Sequence, residues 1–224
     1  MSSPQRRDQD TSPNAGPPPA YRGDHAIVPL PFDPEKLRGI SEKMIVSHHE
    51  NNYAGALKNL NKVEAALGQL SKESPPFAVV GLKERQLTFS NSVTLHELYF
   101  ANLGGDGKPS GEIVKALTEA YGTVGRWEEE FRATGMGLAG GSGWVTLDYE
   151  LDSGALRTHW SGNHTQSRAD ALPLLVMDMY EHAYQMDYGA AAPKYIDAFF
   201  DNLHWQEAER RLARALKARD ALHG

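Results

Sequence analysis

The sequence contains no cysteine. This absence excludes disulfide bonds, iron–sulfur clusters and metal sites built from thiolates. It leaves the redox state of the compartment open, because a protein without thiols is stable under both oxidising and reducing conditions. Any metal centre in this chain must therefore be built without thiolates, for example from imidazole and carboxylate ligands.

The sequence also has few long apolar runs and no excess of basic residues. No run approaches the length of a membrane span, and the first residues do not follow the pattern of a secretory signal, so we expect a cytoplasmic protein without a membrane partner. The formal charge is −6, from 23 basic and 29 acidic residues. This balance gives no electrostatic support for a nucleic-acid partner, and an anionic substrate would need a local positive field.

The chain has 224 residues, of which 40% are hydrophobic, and this is enough for a substantial core. Residues 1–25 differ from the rest because they are rich in Pro, Ser, Asp and Arg and lack apolar periodicity. We expect them to form a disordered or surface-draped extension outside the folded part.

The first folded half is predicted to be helical. Apolar residues recur at helical intervals from about Ser41 to Leu70, and Ser41 is a suitable N-cap. A Ser-Pro-Pro break follows, and residues 81–103 then form a second helical pattern. The two patterns predict a long helical hairpin in an N-terminal domain, residues 26–105, which ends at a Gly- and Pro-rich linker.

The second half, residues 106–224, mixes helices and strands. Residues 111–136 read as two helical pieces, and residues 144–149 then alternate apolar and polar side chains before a turn and another strand-like run, which predicts a β-hairpin. The apolar run LPLLVMDMY suits a buried strand, and amphipathic helices are expected from Lys194 onward. The fold class is therefore α+β, with a C-terminal α/β half that contains a small antiparallel sheet.

Residues of metal-ligand type occur in separate parts of this pattern: His48, His96, and the pair Asp178 and His182. Three imidazoles and one carboxylate can surround a transition-metal ion and leave one coordination position open. A lone histidine such as His96 is more often a satisfied core residue. Asp178 favours the metal interpretation, because a carboxylate directly after an apolar strand is costly to bury without a cation, and a histidine follows four residues later.

Several segments resemble the iron/manganese superoxide dismutase family. The segments ISEKMIVSHH, LHELYFANL, GGSGWVTL and DMYEHAYQMDY are similar to that family's ligand-bearing and core motifs, and the similarity extends from about Pro29 to Leu216. The resemblance implies one Fe or Mn ion per subunit, and as its ligands His48, His96, Asp178 and His182. The implied activity is the disproportionation of superoxide to dioxygen and hydrogen peroxide.

The residues around the implied metal depart from the usual family pattern. The family has a glutamine beside the metal, but its helix position is Ser92 here, which is too short to reach the metal's surroundings. We therefore expect His164, in the loop WSGNHTQ, to take that role, with Gln166 as the weaker alternative. An ungapped match to the first ligand helix places Asn52 and Ala56 where the family has histidine and tyrosine, and Tyr53 is a possible partial substitute.

The resemblance also implies a homodimer in which Glu181 and Tyr184 contact the neighbouring subunit, with a tetramer as a further option. Glu181 could equally interact only with a helix N-terminus. The missing relay groups leave a second function open: a dismutase-like metalloprotein with weak or lost activity and a different oxidative, metal-binding or scaffold role. A zinc hydrolase with the same ligands is disfavoured, since no general base stands beside the open position.

Overall fold

The computed structural model describes residues 16–224. Residues 1–15, the larger part of the predicted N-terminal extension, lie outside the described residues. The remainder of that extension contains a 3-10 turn, Pro19–Tyr21, that lies against the helix Ala54–Leu67. His25 joins this contact, because its backbone N–H donates to the side chain of Asn61 at 3.0 Å. These residues therefore run along the surface of the N-terminal helices.

The first ligand helix is interrupted by a π-helical turn. Helix α1, Glu42–Ser47, starts at the Ser41 N-cap, whose hydroxyl accepts from the N–H of Met44. The π turn His48–Tyr53 follows, and helix α2, Ala54–Leu67, continues the path. The sequence predicts one long helix here, and the path is indeed helical from residue 42 to residue 67. The π turn is the difference: its wider hydrogen-bonded loop shifts the angular position of every later side chain.

Helix α3, Pro76–Ala101, forms the second arm of the predicted hairpin and packs along α2. It begins at a proline, which is compatible with the first turn of a helix because the missing N–H has no intrahelical acceptor there. This is five residues before the predicted start at residue 81. The predicted helical hairpin is confirmed.

The second half begins with helices α4, Glu112–Tyr121, and α5, Val124–Met136. Strands β1, Trp144–Glu150, β2, Leu156–Ser161, and β3, Ala171–Asp178, form an antiparallel sheet in the order β2-β1-β3. Short helix α6, Gln185–Tyr188, then leads to α7, Ala192–Asp201, and α8, Trp205–His223. The predicted α+β class and small antiparallel sheet are confirmed.

The two halves share one core, and a buried arginine joins them. Arg211 on α8 donates to the backbone carbonyl of Leu98 near the end of α3 at 3.0 Å and to that of Leu174 in β3 at 3.1 Å. Asn102, just after α3, accepts from the N–H of Val176 in β3 at 2.8 Å. These bonds tie the C-terminal end of α3 to β3, and the Leu98 carbonyl accepts from Arg211 in addition to the N–H of Asn102. The predicted domain boundary near residue 105 lies in the loop after α3 and stays a prediction.

Within residues 16–224, no helix combines the length and the apolar character needed to cross a membrane.

Candidate metal centre

His48 and His96 face each other from the two arms of the helical hairpin. His48 begins the π turn, His96 lies in the last third of α3, and both side chains are buried. Their ring centroids are 5.0 Å apart with nearly perpendicular planes. The His96 Nδ1 atom lies 2.7 Å from the carbonyl of Ser92, one helical turn earlier. Because a carbonyl only accepts, Nδ1 carries the proton and Nε2 presents its lone pair to the interior.

Asp178 and His182 reach the same point from the sheet. Asp178 is the last residue of β3, pairs with Trp144 in β1, and is fully buried. The N–H of Tyr180 donates to its Oδ1 atom at 2.8 Å. Its Oδ2 atom lies 3.1 Å from His48 Nε2, 3.6 Å from His96 Nε2 and 3.2 Å from His182 Nε2. His182 follows in the 3-10 turn Glu181–Ala183.

The four side chains form one compact donor set. One ligand atom from each residue lies within 4.8 Å of the others. Among the described residues, the buried Nε2 atoms of His48 and His96 have no hydrogen-bond partner. Unpartnered buried nitrogens around one carboxylate are costly in an apolar interior, and a cation held between them would remove this cost. The donor set therefore fits a transition-metal ion.

Burial and mutual charge set the protonation of this group. Burial lowers the pKa of His48, and it lowers the pKa of His96 to about 3. For Asp178, burial acts to raise the pKa, but His182 and His48 outweigh it and hold the pKa well below its usual range. For His182, burial acts to lower the pKa, and the charge of Asp178 outweighs it, so the pKa is raised. Neutral His48 and His96 and an anionic Asp178 are already in the forms that bind a metal ion, whereas His182 would release its proton on binding.

His164 lies beside the donor set, held by two aromatic neighbours. The indole N–H of Trp144 donates to its Nδ1 atom at 3.0 Å. Its ring stacks on Tyr180, with centroids 4.8 Å apart, and lies 6.3 Å from the ring of His96. Gln166, the weaker alternative, is engaged elsewhere, because its side-chain oxygen accepts from the N–H of Gly162 at 2.8 Å. Of the two loop residues, His164 is the one adjacent to the centre.

Comparison with known proteins identifies the family. Residues 109–211 match the family model described as iron/manganese superoxide dismutases, C-terminal domain. An iron superoxide dismutase of Cupriavidus metallidurans is 47% identical over 194 residues, which cover 86% of this chain and 98% of the relative. The chain belongs to the iron/manganese superoxide dismutase family. An iron enzyme of Aquifex pyrophilus is 34% identical over 89% of this chain and 97% of the relative. A manganese enzyme of Haloferax volcanii is 31% identical over 87% and 98%.

Family membership confirms the resemblance inferred from the sequence motifs. The four residues that the resemblance implied as ligands, His48, His96, Asp178 and His182, are the same four that the fold brings together. The set of four is complete without a substitute ligand from elsewhere in the described residues.

Tyr53, expected from the sequence as a possible partial substitute for the missing relay groups, lies near the donor set. It is fully buried at the end of the π turn, with its ring 6.4 Å from that of His96. Its hydroxyl donates to Glu97 at 2.8 Å and accepts from the N–H of Val28 at 2.9 Å. Burial, with a smaller contribution from Glu97, raises the pKa of Tyr53 to about 12. The sequence missed Glu97, because it follows His96 directly and so falls outside the apolar face that marked this helix.

One residue of the expected subunit contact lies inside the chain. Tyr184 is only 2% exposed, and its hydroxyl accepts from the N–H of Gly140 at 3.1 Å. Its ring also stacks on Tyr195 at 5.4 Å between centroids. Internal packing covers most of Tyr184, and its contact with a neighbouring subunit stays a prediction. Glu181 is exposed and stays available for such a contact.

Proposed function

We propose that this chain disproportionates superoxide, with iron or manganese bound by His48, His96, Asp178 and His182. The observation that carries this proposal is the buried donor set, whose four ligand atoms lie within 4.8 Å of one another, in a chain of the dismutase family. When bound, iron or manganese supplies one-electron cycling between its trivalent and divalent states, so that one superoxide is oxidised to dioxygen and a second is reduced to hydrogen peroxide. The overall reaction consumes two superoxide ions and two protons.

The protein's contribution is to fix the donors and to restrict access by water. The Ser92 carbonyl orients the His96 ring, and the N–H of Tyr180 holds one oxygen of Asp178 while the other faces the three imidazoles. Rings of Phe100, Trp144 and Tyr180 pack around the donors. Such fixed surroundings tune the potential of a redox centre through hydrogen bonding and exclusion of solvent.

His164 is proposed to donate a hydrogen bond to the oxygen species that reacts at the centre. The support is its tautomer: the Trp144 N–H occupies Nδ1, so a neutral His164 carries its proton on Nε2. Burial lowers the pKa of His164, which favours this neutral form. A fixed N–H donor of this kind can take the place of the amide N–H that a glutamine would provide.

Tyr53 is proposed to contribute a protonated hydroxyl near the centre, as a partial substitute for the relay groups absent at Asn52 and Ala56. The support is the position of its ring beside His96 and the bond from its hydroxyl to Glu97. Because the Tyr53 pKa is raised to about 12, this hydroxyl remains a donor throughout the working pH range.

A second function has one observation in its favour. Asn52 and Ala56 carry no group able to relay protons, so a dismutase-like metalloprotein with weak activity and another oxidative, metal-binding or scaffold role is the alternative. The test is to express the chain in iron- or manganese-supplemented medium, measure metal per subunit, and follow superoxide decay with each form. Metal-loaded protein that does not accelerate superoxide decay would favour the alternative. Protein that never retains iron or manganese would refute both.

The assembly and the location of the protein are further proposals. A homodimer is supported by the exposed Glu181, which neighbours His182 and is placed to reach a second copy. A tetramer is the larger option, and sedimentation at several protein concentrations separates monomer, dimer and tetramer. The cytoplasmic location expected from the sequence is tested by cell fractionation.

A further inference from the structure

A cavity of about 190 Å3 lies between α3 and the sheet, separate from the four donor residues. Its floor is one face of β1, its wall is α3, and residues 162–170 of the loop after β2 border its opening. Thr146 and Asp148 lie on the floor, and Leu95 and Leu98 lie on the wall. Trp144 and His164 form the end nearest the metal centre.

The floor of this cavity contains buried oxygen atoms without partners. Thr146 and Asp148 are only 5% and 4% exposed. Among the described residues, neither the Thr146 hydroxyl nor Oδ1 of Asp148 has a hydrogen-bond partner. Burial raises the pKa of Asp148, and Thr146, His159 and Arg168 offset this rise only in part. Unpartnered buried oxygens next to a cavity indicate that a ligand with hydrogen-bond donors belongs there.

The nearby cations are already paired with other carboxylates. Arg157 and Arg168 lie 3.0 and 3.3 Å from the same oxygen of Glu150, and Arg168 also binds Asp170 at 3.1 Å. Two guanidinium groups therefore stand against the carboxylates of Glu150 and Asp170. Among the described residues, the Asp148 carboxylate forms no direct ion pair, although Arg168 and His159 lie near enough to lower its pKa.

His159, which also borders the cavity, does not supply the missing charge pair. Its Nε2 atom lies 3.2 Å from the carbonyl of Gln166, so it donates to the loop and not to Asp148. Leu95, Leu98 and Pro173 provide apolar walls, and Arg168, which is already paired with Glu150 and Asp170, also lines the cavity. The cavity thus combines one anionic, hydrogen-bond-accepting end with apolar walls, which is the usual composition of a small-molecule site.

We propose that this cavity binds a small organic cation, with its ammonium group at Asp148 and Thr146 and its hydrocarbon part against Leu95 and Leu98. The ligand would be a primary amine of about one ring in size. This site does not depend on the proposed function. Since Trp144 and His164 form its inner end, an occupant would contact the two side chains that lie between the cavity and His96.

Calorimetric titration of the metal-loaded protein with benzylamine, and with uncharged benzyl alcohol of similar shape, tests this proposal. Benzylamine is expected to bind at least about tenfold more tightly than benzyl alcohol, because only the amine offers a charge-assisted hydrogen bond to Asp148. Asp148→Asn should remove this preference. Asp170→Asn is the matched control, since it deletes a carboxylate at the exposed rim and should preserve the preference.

A crystal soaked with benzylamine provides a readout that does not depend on any variant. Density for the amine beside Asp148 supports the site, whereas density for water molecules alone at that position overturns it. Equal affinities for the amine and the alcohol, or a preference that survives in a folded, metal-loaded Asp148→Asn protein, would also overturn it. If Asp148→Asn does not fold, Leu98→Phe, which narrows the cavity from the opposite wall, should abolish amine binding.

Discussion

The metal centre has a strand side and a helical side, and they differ in regularity. On the strand side, Asp178 ends a regular strand, and Trp144 in the neighbouring strand both packs on His96 and holds His164. On the helical side, His48 begins a π turn, and the relay positions carry Asn52 and Ala56. The comparison teaches that one donor set can be assembled from a regular strand and an irregular helical turn. Chemistry that depends on the regular sheet should therefore be more sensitive to substitution than chemistry that depends on the irregular helical turn.

The largest effect is expected at the strand side's ligand. Asp178→Ala should abolish retention of iron and manganese, because it removes the anionic donor that faces all three imidazoles. Metal per subunit, measured by elemental analysis after gel filtration, reports the result. Full metal content in this variant would refute the ligand assignment. Asp187→Ala, at an exposed carboxylate outside the centre, serves as the control and should retain metal.

The contact that holds the two sides together should give the next largest effect. Arg211→Met should lower the free energy of unfolding by about 3 kcal/mol or more, because it leaves Glu207 and the carbonyls of Leu98 and Leu174 without their buried partner. Urea unfolding followed by circular dichroism measures this change.

Arg210→Met is the matched control for that experiment. Arg210 also pairs with Glu207, but its side chain is 57% exposed, so its loss should cost less than about 1 kcal/mol. Equal losses in the two variants would show that the α3–β3 junction does not depend on Arg211.

A substitution at His164 tests the strand side without removing a ligand. His164→Ala should retain metal and lower the rate of superoxide decay roughly 10- to 100-fold. His164→Gln should recover part of the rate, because an amide also supplies an N–H donor. The metal's reduction potential should shift in the alanine variant. An unchanged rate together with an unchanged potential would remove His164 from the chemistry.

The smallest effect is expected on the helical side. Tyr53→Phe should lower the rate by less than about tenfold and the free energy of unfolding by about 1 kcal/mol, because it deletes only the hydroxyl that bonds Glu97 and Val28. Since the Tyr53 pKa is raised to about 12, its hydroxyl stays protonated below that pH, so the phenylalanine variant and the parent should share one pH profile up to about pH 10. A rate loss larger than that of His164→Ala would reverse the comparison between the two sides.

The features that sequence predicted well are those encoded in local patterns. The hairpin of β1 and β2 follows from alternation, and Asp178 with His182 follows from a carboxylate placed after an apolar strand with a histidine four residues on. The prediction that these two residues lie beside His48 and His96 depended on the family resemblance, because no local pattern fixes how α1 and α3 approach the sheet.

The features that sequence missed depend on contacts between distant segments. The π turn at His48–Tyr53 has no compositional signal, and the Tyr53–Glu97 bond joins residues that are 44 positions apart. Alternation along β1 would place Asp148 toward solvent, yet α3 covers that face and buries it. The internal bond between the Tyr184 hydroxyl and the N–H of Gly140 likewise joins residues that are 44 positions apart.

The His96 Nδ1 atom lies 2.7 Å from the main-chain carbonyl of Ser92 and 3.3 Å from the Ser92 hydroxyl, so the backbone makes the shorter contact. A substitution at this position changes the side chain but keeps the carbonyl as long as the helix persists. The orientation of the His96 imidazole therefore depends mainly on the helix backbone. A ligand oriented only by a neighbouring side chain would lose its orientation when that side chain is substituted.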